Sequence, residues 1–250
     1  MDTLFVGKNF VELPEVGSTN SFATKLLESQ PSEGTVVWSH AQTAGRGQQN
    51  NQWFATPGAN LTFSIILFPR FLSPSRIFAL NKVISIALCR VLRAQLPERE
   101  VLIKWPNDIL VDRKKIAGIL VENQLDGRGL QSSILGIGLN VNEQHFPEEL
   151  QAKATSMALE GVQVPKLRPL LSQILQQVEA LYLQLRSGKT FPMDREYLEH
   201  LYGYQEHVDL KIDGKMEKPM LVGVDLDGRL ALERGGKLHY YQMKSLEFVL

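Results

Sequence analysis

A chain of 250 residues has room for one large domain, or for a medium domain with a small appendix. Its 27 basic and 27 acidic residues cancel, which argues against broad electrostatic binding to nucleic acid but allows a local basic pocket. The lone cysteine, Cys89, excludes an intramolecular disulfide and a multi-cysteine zinc site; with no signal peptide and no membrane-length apolar run, the expected compartment is the cytoplasm.

Ser18-Thr19-Asn20 precedes Phe22, Ala23, Leu26 and Leu27, a capped apolar stripe that predicts a helix ending near Gln30-Pro31. A strand is expected from Gly34 to Trp38, then a polar, glycine-bearing loop from Ala41 to Gly58, then a buried strand from Leu61 to Phe68. Ser73-Pro74 marks the start of a long helix whose Ile77, Leu80, Ile84, Leu88, Val91 and Leu92 follow the 3.6-residue period. Cys89 falls inside that stripe and reads as a packing residue.

Four strands are expected next: Val101–Lys104, Ile109–Val111, Ile116–Glu122 and Ser133–Asn140, with turns at 112–114 and 126–129. Leu167–Leu185 has the pattern of a second amphipathic helix, and Arg195–Tyr202 of a short one. Beyond Gly203 the texture changes to short alternating segments near 208–212, 220–224, 229–232, 238–241 and 248–250. Turns at Asp213-Gly214, Asp227-Gly228 and Gly235-Gly236 separate them, which predicts a small β-barrel unit.

Three constellations carry chemistry. Lys104-Trp105-Pro106-Asn107-Asp108 ends a strand, and Lys115 follows one hairpin later, so Lys104, Lys115 and Asp108 are suited to face one phosphate-bearing ligand. A lysine-rich structural hairpin, with Asn107 and Asp108 as turn formers, is the alternative. Gly45-Arg46-Gly47 pairs a forked cation with glycines that let the backbone approach an anion, although such a tripeptide is also common in surface turns. Gly136-Ile137-Gly138-Leu139-Asn140 places alternating glycines in an apolar strand, marking close approach of a ligand or of another backbone. The histidines show no metal-binding spacing, and there is no Gly-x-Ser-x-Gly elbow or Walker loop. What remains is cations, glycine amides and a carboxylate, the equipment of positioning and charge neutralisation, as in phosphoryl or nucleotidyl transfer.

In their order, Ser18-Thr19-Asn20, Gln42-Thr43-Ala44-Gly45-Arg46-Gly47, Trp53, Gly58-Ala59-Asn60-Leu61, Lys104–Asp108, Lys115–Glu122 and Gly136–Asn140 resemble the motifs of the biotin protein ligases. The likeness spans roughly residues 15–142, and the β-rich tail is similar to that family's small C-terminal domain. It implies an α+β fold: a mixed, largely antiparallel sheet with flanking helices like that of class II aminoacyl-tRNA synthetases, over 1–202, plus an SH3-like barrel over 203–250. It also implies two steps, in which biotin and MgATP give biotinyl-5′-AMP and the biotinyl group then passes to a lysine of a biotin carboxyl carrier domain.

On that resemblance Lys115, Arg46 and Asp108 are the expected catalytic residues. Lys115 would touch the biotin carboxylate and the α-phosphate, Arg46 with the amides of Gly45 and Gly47 would hold the anion, and Asp108 would orient the acceptor amine. Ser18, Thr19, Asn20 and Gln42 suit the ureido ring; Trp53, Gly118, Gly136 and Gly138 suit the apolar rings and chain; Gln48 and Asn140 complete the expected set. Magnesium is expected on the phosphates through Asn107 or Asp108. The loop departs from the family by continuing Gln48-Gln49-Asn50-Asn51-Gln52, so Arg46 is kept but a second loop cation is not. Only 17 residues precede Ser18, too few for the DNA-binding domain of some members, so no DNA partner is expected; the oligomeric state is left open, a homodimer pairing an exposed sheet edge being one form. Lipoate–protein ligases and octanoyltransferases, or a non-catalytic biotin-binding protein, are the rival readings.

Overall fold

The computed structural model describes residues 2–48, 51–163, 166–243 and 245–250. Its centre is a seven-stranded sheet ordered β1-β2-β3-β7-β6-β5-β4. The strands are β1 (Phe10–Leu13), β2 (Val36–Ser39), β3 (Leu61–Leu67), β4 (Val101–Lys104), β5 (Asp108–Val111), β6 (Lys114–Asp126) and β7 (Gly129–Leu139). Only β1 and β2 pair in parallel; every other neighbour is antiparallel. The sheet is thus mixed and largely antiparallel, as expected. Asp112 and Arg113, at φ 45° and 69°, make the two-residue turn between β5 and β6, the left-handed geometry that matches strand twist.

Alternation along the strands gives the sheet two different faces. Phe63, Ile65, Ile119, Leu135 and Ile137 point into the main core, beneath α2 (Phe78–Gln95) and α4 (Leu167–Arg186), which pack on each other. The intervening residues, Thr62, Ser64, Gly118, Leu120, Gly136 and Gly138, share the opposite face. One end of that face is closed by α1 (Thr19–Leu26), whose Ala23 packs with Val37, Ile66 and Ile134. Over Gly118 and Gly138 the face is covered by the side chain of Trp53.

Several boundaries differ from the sequence expectation. Ser73-Pro74 opens a short 3-10 turn, Pro74–Arg76, and α2 begins only at Phe78. β6 and β7 run longer than expected because their hairpin continues past the apolar stretch to Asp126 and Gly129. α5 covers Phe191–Glu199 rather than 195–202, with Pro192 in its first turn. Three short elements carry too little pattern to be read: β1, the single-turn α3 (Glu148–Gln151) and β9 (Lys215–Glu217).

The tail forms two antiparallel three-stranded sheets. One holds β10 (Met220–Val224), β11 (Leu230–Arg234) and β12 (Lys237–Tyr241); the other holds β13 (Leu246–Phe248), β8 (Leu210–Ile212) and β9. Its apolar side is continuous with the main core through Leu210, Ile212, Leu221, Leu230 and Leu232. Trp105, 2% exposed, donates its indole N–H to the Gly228 carbonyl at 2.9 Å. A Cβ on Gly228 would lie 2.5 Å from the Phe78 ring, so only glycine lets this turn close on the helix. Among the described residues, no helix is long and apolar enough to cross a membrane.

Candidate active site

The glycine face of the sheet, the N-terminus of α1 and the 42–53 loop enclose one pocket. It is lined by Ser18, Thr19, Asn20, Gln42, Arg46, Gly47, Gln48, Trp53, Asn107, Lys115, Gly118, Gly136 and Gly138, all expected from sequence. Ile119, Leu120 and Ile137 also line it. Three expected residues do not. Gly45 lines a neighbouring outer groove, Asp108 stands behind Lys115, and Asn140 is buried at the strand end, where its Nδ2 donates to the Thr155 carbonyl. The free space inside is about 50 Å³, well short of the roughly 300 Å³ that begins the range of ligand pockets. Trp53 is the reason. Its indole lies flat on the glycines, so a Cβ on Gly138 would sit 2.3 Å from it and one on Gly118 3.0 Å.

At the α1 end the polar groups form a connected set. Ser18 caps the helix, and the Thr19 amide donates to Gln42 Oε1 at 2.7 Å. The fully buried Ser64 hydroxyl lies 2.8 Å from Thr19 Oγ1 and 2.6 Å from Asn20 Oδ1. Asn20 Nδ2 in turn donates to the Leu120 carbonyl at 3.2 Å and to Glu122 Oε2 at 2.7 Å. A Cβ on Gly136 would come within 2.2 Å of Asn20 Oδ1, so the absent side chain is what seats the amide. These donors and acceptors suit a neutral ring bearing both N–H and C=O groups.

The other end is cationic, and a register break puts it there. Leu110 opposes Lys115 but Ile109 opposes Ala117, which leaves Ile116 as the extra residue of a β-bulge. Without the bulge, Lys115 and Gly118 would fall on opposite faces. With it, Lys115 Nζ lies 3.2 Å from where a Gly118 Cβ would be and 5.7 Å from the Trp53 ring centre. The backbone is pinned on its outer side: Lys115 N donates to the Lys153 carbonyl at 2.8 Å, and Thr155 N donates to the Lys115 carbonyl at 2.9 Å. Asp108 holds the ammonium, with Oδ1 2.6 Å from Lys115 Nζ and Oδ2 3.2 Å from Lys104 Nζ. Asn107 braces the same hairpin through Nδ2 to the Ile119 carbonyl at 2.8 Å.

This donor set does not fit a magnesium ion held by the protein. Both Asp108 oxygens take a lysine, and among the described residues no three His, Cys, Asp or Glu side chains gather at metal-binding distance. In this structure Asp108 positions the two lysines, and Asn107 bonds the Ile119 carbonyl.

Backbone bonds between described residues hold the two sides of the loop above together. Gly47 N donates to the Asn51 carbonyl at 2.6 Å and Trp53 N to the Gly45 carbonyl at 3.0 Å. Its far end is tied down where Glu143 accepts from Thr56 N, Thr56 Oγ1 and Asn60 Nδ2. Gln49 and Asn50, part of the unusual loop sequence, lie outside the described residues. Arg46 reaches back to the sheet, its guanidinium 2.8 Å from Glu122 Oε2. It borders both the inner pocket and the outer groove of about 550 Å³, which Met243 of the tail also lines. Lys104, Lys115 and Arg46 face Asp108 and Glu122, three cations against two carboxylates, leaving one positive charge for an anionic ligand. Glu122 was not among the residues expected from sequence, and the acidic end of an apolar strand gives no signal of its role.

Comparisons with known proteins bear on the family and the fold. The sequence profile of the biotin/lipoate A/B protein ligase family matches residues 13–140. The biotin–[acetyl-CoA-carboxylase] ligase of Mycobacterium tuberculosis is 30% identical over 241 residues, covering 92% of this chain and 86% of that protein. The bifunctional ligase/repressor BirA of Bacillus spizizenii is 35% identical over 160 residues, 63% of this chain, and the match spans about half (49%) of its length. Among solved structures, the biotin protein ligase of Aquifex aeolicus in complex with biotin and ATP superposes with a TM-score of 0.81 at 24% identity, covering 97% of this chain and all (100%) of that one.

Proposed function

The chain belongs to the biotin/lipoate A/B protein ligase family, and from that premise we propose that it is a biotin–protein ligase. It activates biotin with ATP to biotinyl-5′-AMP and transfers biotin to a lysine of a biotin carboxyl carrier domain. The observation that carries this reading is the bulge-placed Lys115, delivered beside a glycine floor that ends in a ring-binding polar set. The ordered Gly45-Arg46-Gly47 and Lys104–Asp108 motifs favour biotin over lipoate. Residues 1–202 are the catalytic unit and 203–250 its small appendage. Of the sheet's two edges, β4 is already bonded to residues 200–202, so β1 is the edge through which two copies would pair.

In the first step a biotin carboxylate oxygen attacks the α-phosphorus, the bond to the bridging oxygen of the β-phosphate breaks, and pyrophosphate leaves with the electron pair. Two anions meet at the point of attack. Lys115 neutralises them there, held in place by Asp108, while Arg46 covers the developing acyl phosphate. Magnesium enters with ATP, as part of that substrate. In the second step the acceptor amine attacks the acyl carbonyl, the bond from that carbon to the phosphate oxygen breaks, AMP leaves with the electron pair, and the amine's proton passes to solvent. Because both Asp108 oxygens are engaged by lysines, Asp108 acts through Lys115 in this scheme. Trp53 must shift off the glycines to admit the bicyclic ring.

The direct test is incorporation of labelled biotin, with ATP, into a carrier domain; no incorporation ends the proposal, and lipoate incorporated in its place moves it to the lipoate branch. Lys115→Ala is expected to lower biotin-dependent ATP–pyrophosphate exchange by about a hundredfold or more, the scale of losing a transition-state charge contact. Near-normal exchange would remove Lys115 from the chemistry.

A further inference from the structure

Resting on the ligase reading, we propose that Glu122 is a positioning residue that ties the ring-binding end of the site to the anion-binding loop. The pair with Arg46 alone would be a half-exposed ion pair of small consequence. The same oxygen, however, also takes the amide of Asn20, a buried side chain whose own oxygen is fixed by the buried Ser64. Glu122 Oε2 is therefore the junction of a chain running from the sheet interior, through Ser64 and Asn20, to Arg46 at the loop.

Its place on the strand is equally specific. Glu122 follows Gly118 and Leu120 on the ligand face of β6, where it opposes Ile134. It lines the outer groove, while Asn20 lines the inner pocket and Arg46 lines both. One carboxylate oxygen receiving two donors requires acceptor character toward both. A glutamine there turns an N–H₂ toward one donor or gives up the charge that orients the guanidinium. Ring seating at Asn20 and loop closure by Arg46 thus share a single fixed point, and the loop is held down most firmly when the ring is in place. The expected consequence is retention: the acyl adenylate hydrolyses in water, and an untethered Arg46 lets it escape.

The experiment loads the full-length protein with labelled biotin and ATP, without acceptor, and follows loss of bound biotinyl-AMP. Glu122→Ala and Glu122→Gln are expected to shorten retention about tenfold, and Glu122→Asp to recover part of it, as for removal of one strongly coupled partner. In an Arg46→Ala background, Glu122→Ala is expected to change retention by no more than about twofold, the signature of residues acting as one unit. Unchanged retention in Glu122→Gln, or additive losses in the double variant, overturns the proposal. Melting curves for each variant identify any that act by unfolding, and Glu122→Asp then carries the test. A wild-type protein that forms no adenylate instead overturns the ligase reading, and this one with it.

Discussion

At the scale of single residues, the site is shaped by what is missing from β6 and β7. A methyl on Gly138 would stand 2.3 Å from the Trp53 ring, so Gly138→Ala puts a methyl into the space between floor and indole that the ligand needs. Biotin affinity measured by calorimetry is expected to fall about tenfold or more, the order of one bulky misfit in an apolar pocket. Unchanged affinity would show that Trp53 does not cover the ligand. The pocket-lining identities were legible through the ordered motifs that carry the family resemblance, since each motif taken alone also fits a surface turn, a hairpin or close backbone packing. The role of Asp108 was not, because sequence cannot show that two lysines already occupy its oxygens. Asn140 was misplaced for a similar reason: a buried asparagine at a strand end looks the same whether it meets a ligand or a backbone carbonyl.

At the scale of elements, the long amphipathic helices and the apolar strands could be read because their period is their burial. The bulge that turns Lys115 toward the pocket could not, since it is a register relation between two strands and leaves no mark on either one. Nor could the fastening of the N-terminal segment to α4. There Glu179 accepts from the amides of Leu4, Phe5 and Val6 at 2.6, 2.7 and 2.8 Å. Burial pushes this carboxyl up, but the three amides together with Lys8 hold it below the ordinary value. The folded chain therefore binds fewer protons at Glu179 than the unfolded chain does. The stabilisation is complete above the ordinary glutamate pKa, about 4.3, and is lost as pH falls through the lower folded value. Glu179→Gln is expected to cost about 1–3 kcal/mol at neutral pH, as for hydrogen bonds to a charged group. It should also flatten the acid limb of a melting-temperature profile below about pH 5. An acid limb identical to that of the wild type would remove Glu179 from the acid response.

At the scale of the molecule, the tail and the catalytic unit share one core, although the change in sequence texture at Gly203 marks them as distinct. The link runs through the motif that also supplies the site: Trp105 reaches the Gly228 carbonyl while its near neighbour Asp108 holds Lys115. Denaturation of the whole chain is expected to show one cooperative transition. Trp105→Phe, which keeps the ring but leaves a buried carbonyl without its donor, is expected to cost about 1–2 kcal/mol in urea titrations. A separate early transition of the tail in the wild type would mean that the shared core does not couple the two parts. The sequence placed Trp105 in a block with chemistry at a strand end; which distant turn it met depended on the tertiary path.

The glycine floor has a consequence for any attempt to change what this protein accepts. A surface made of hydrogen atoms is already as deep as a polypeptide can make it, so every substitution at 118, 136 or 138 subtracts room and none adds it. Selection acting on the floor is one-directional, toward thinner ligands. Variants that admit thicker acyl groups must arise on the opposite wall, with the indole of Trp53 as the one adjustable dimension of the slot.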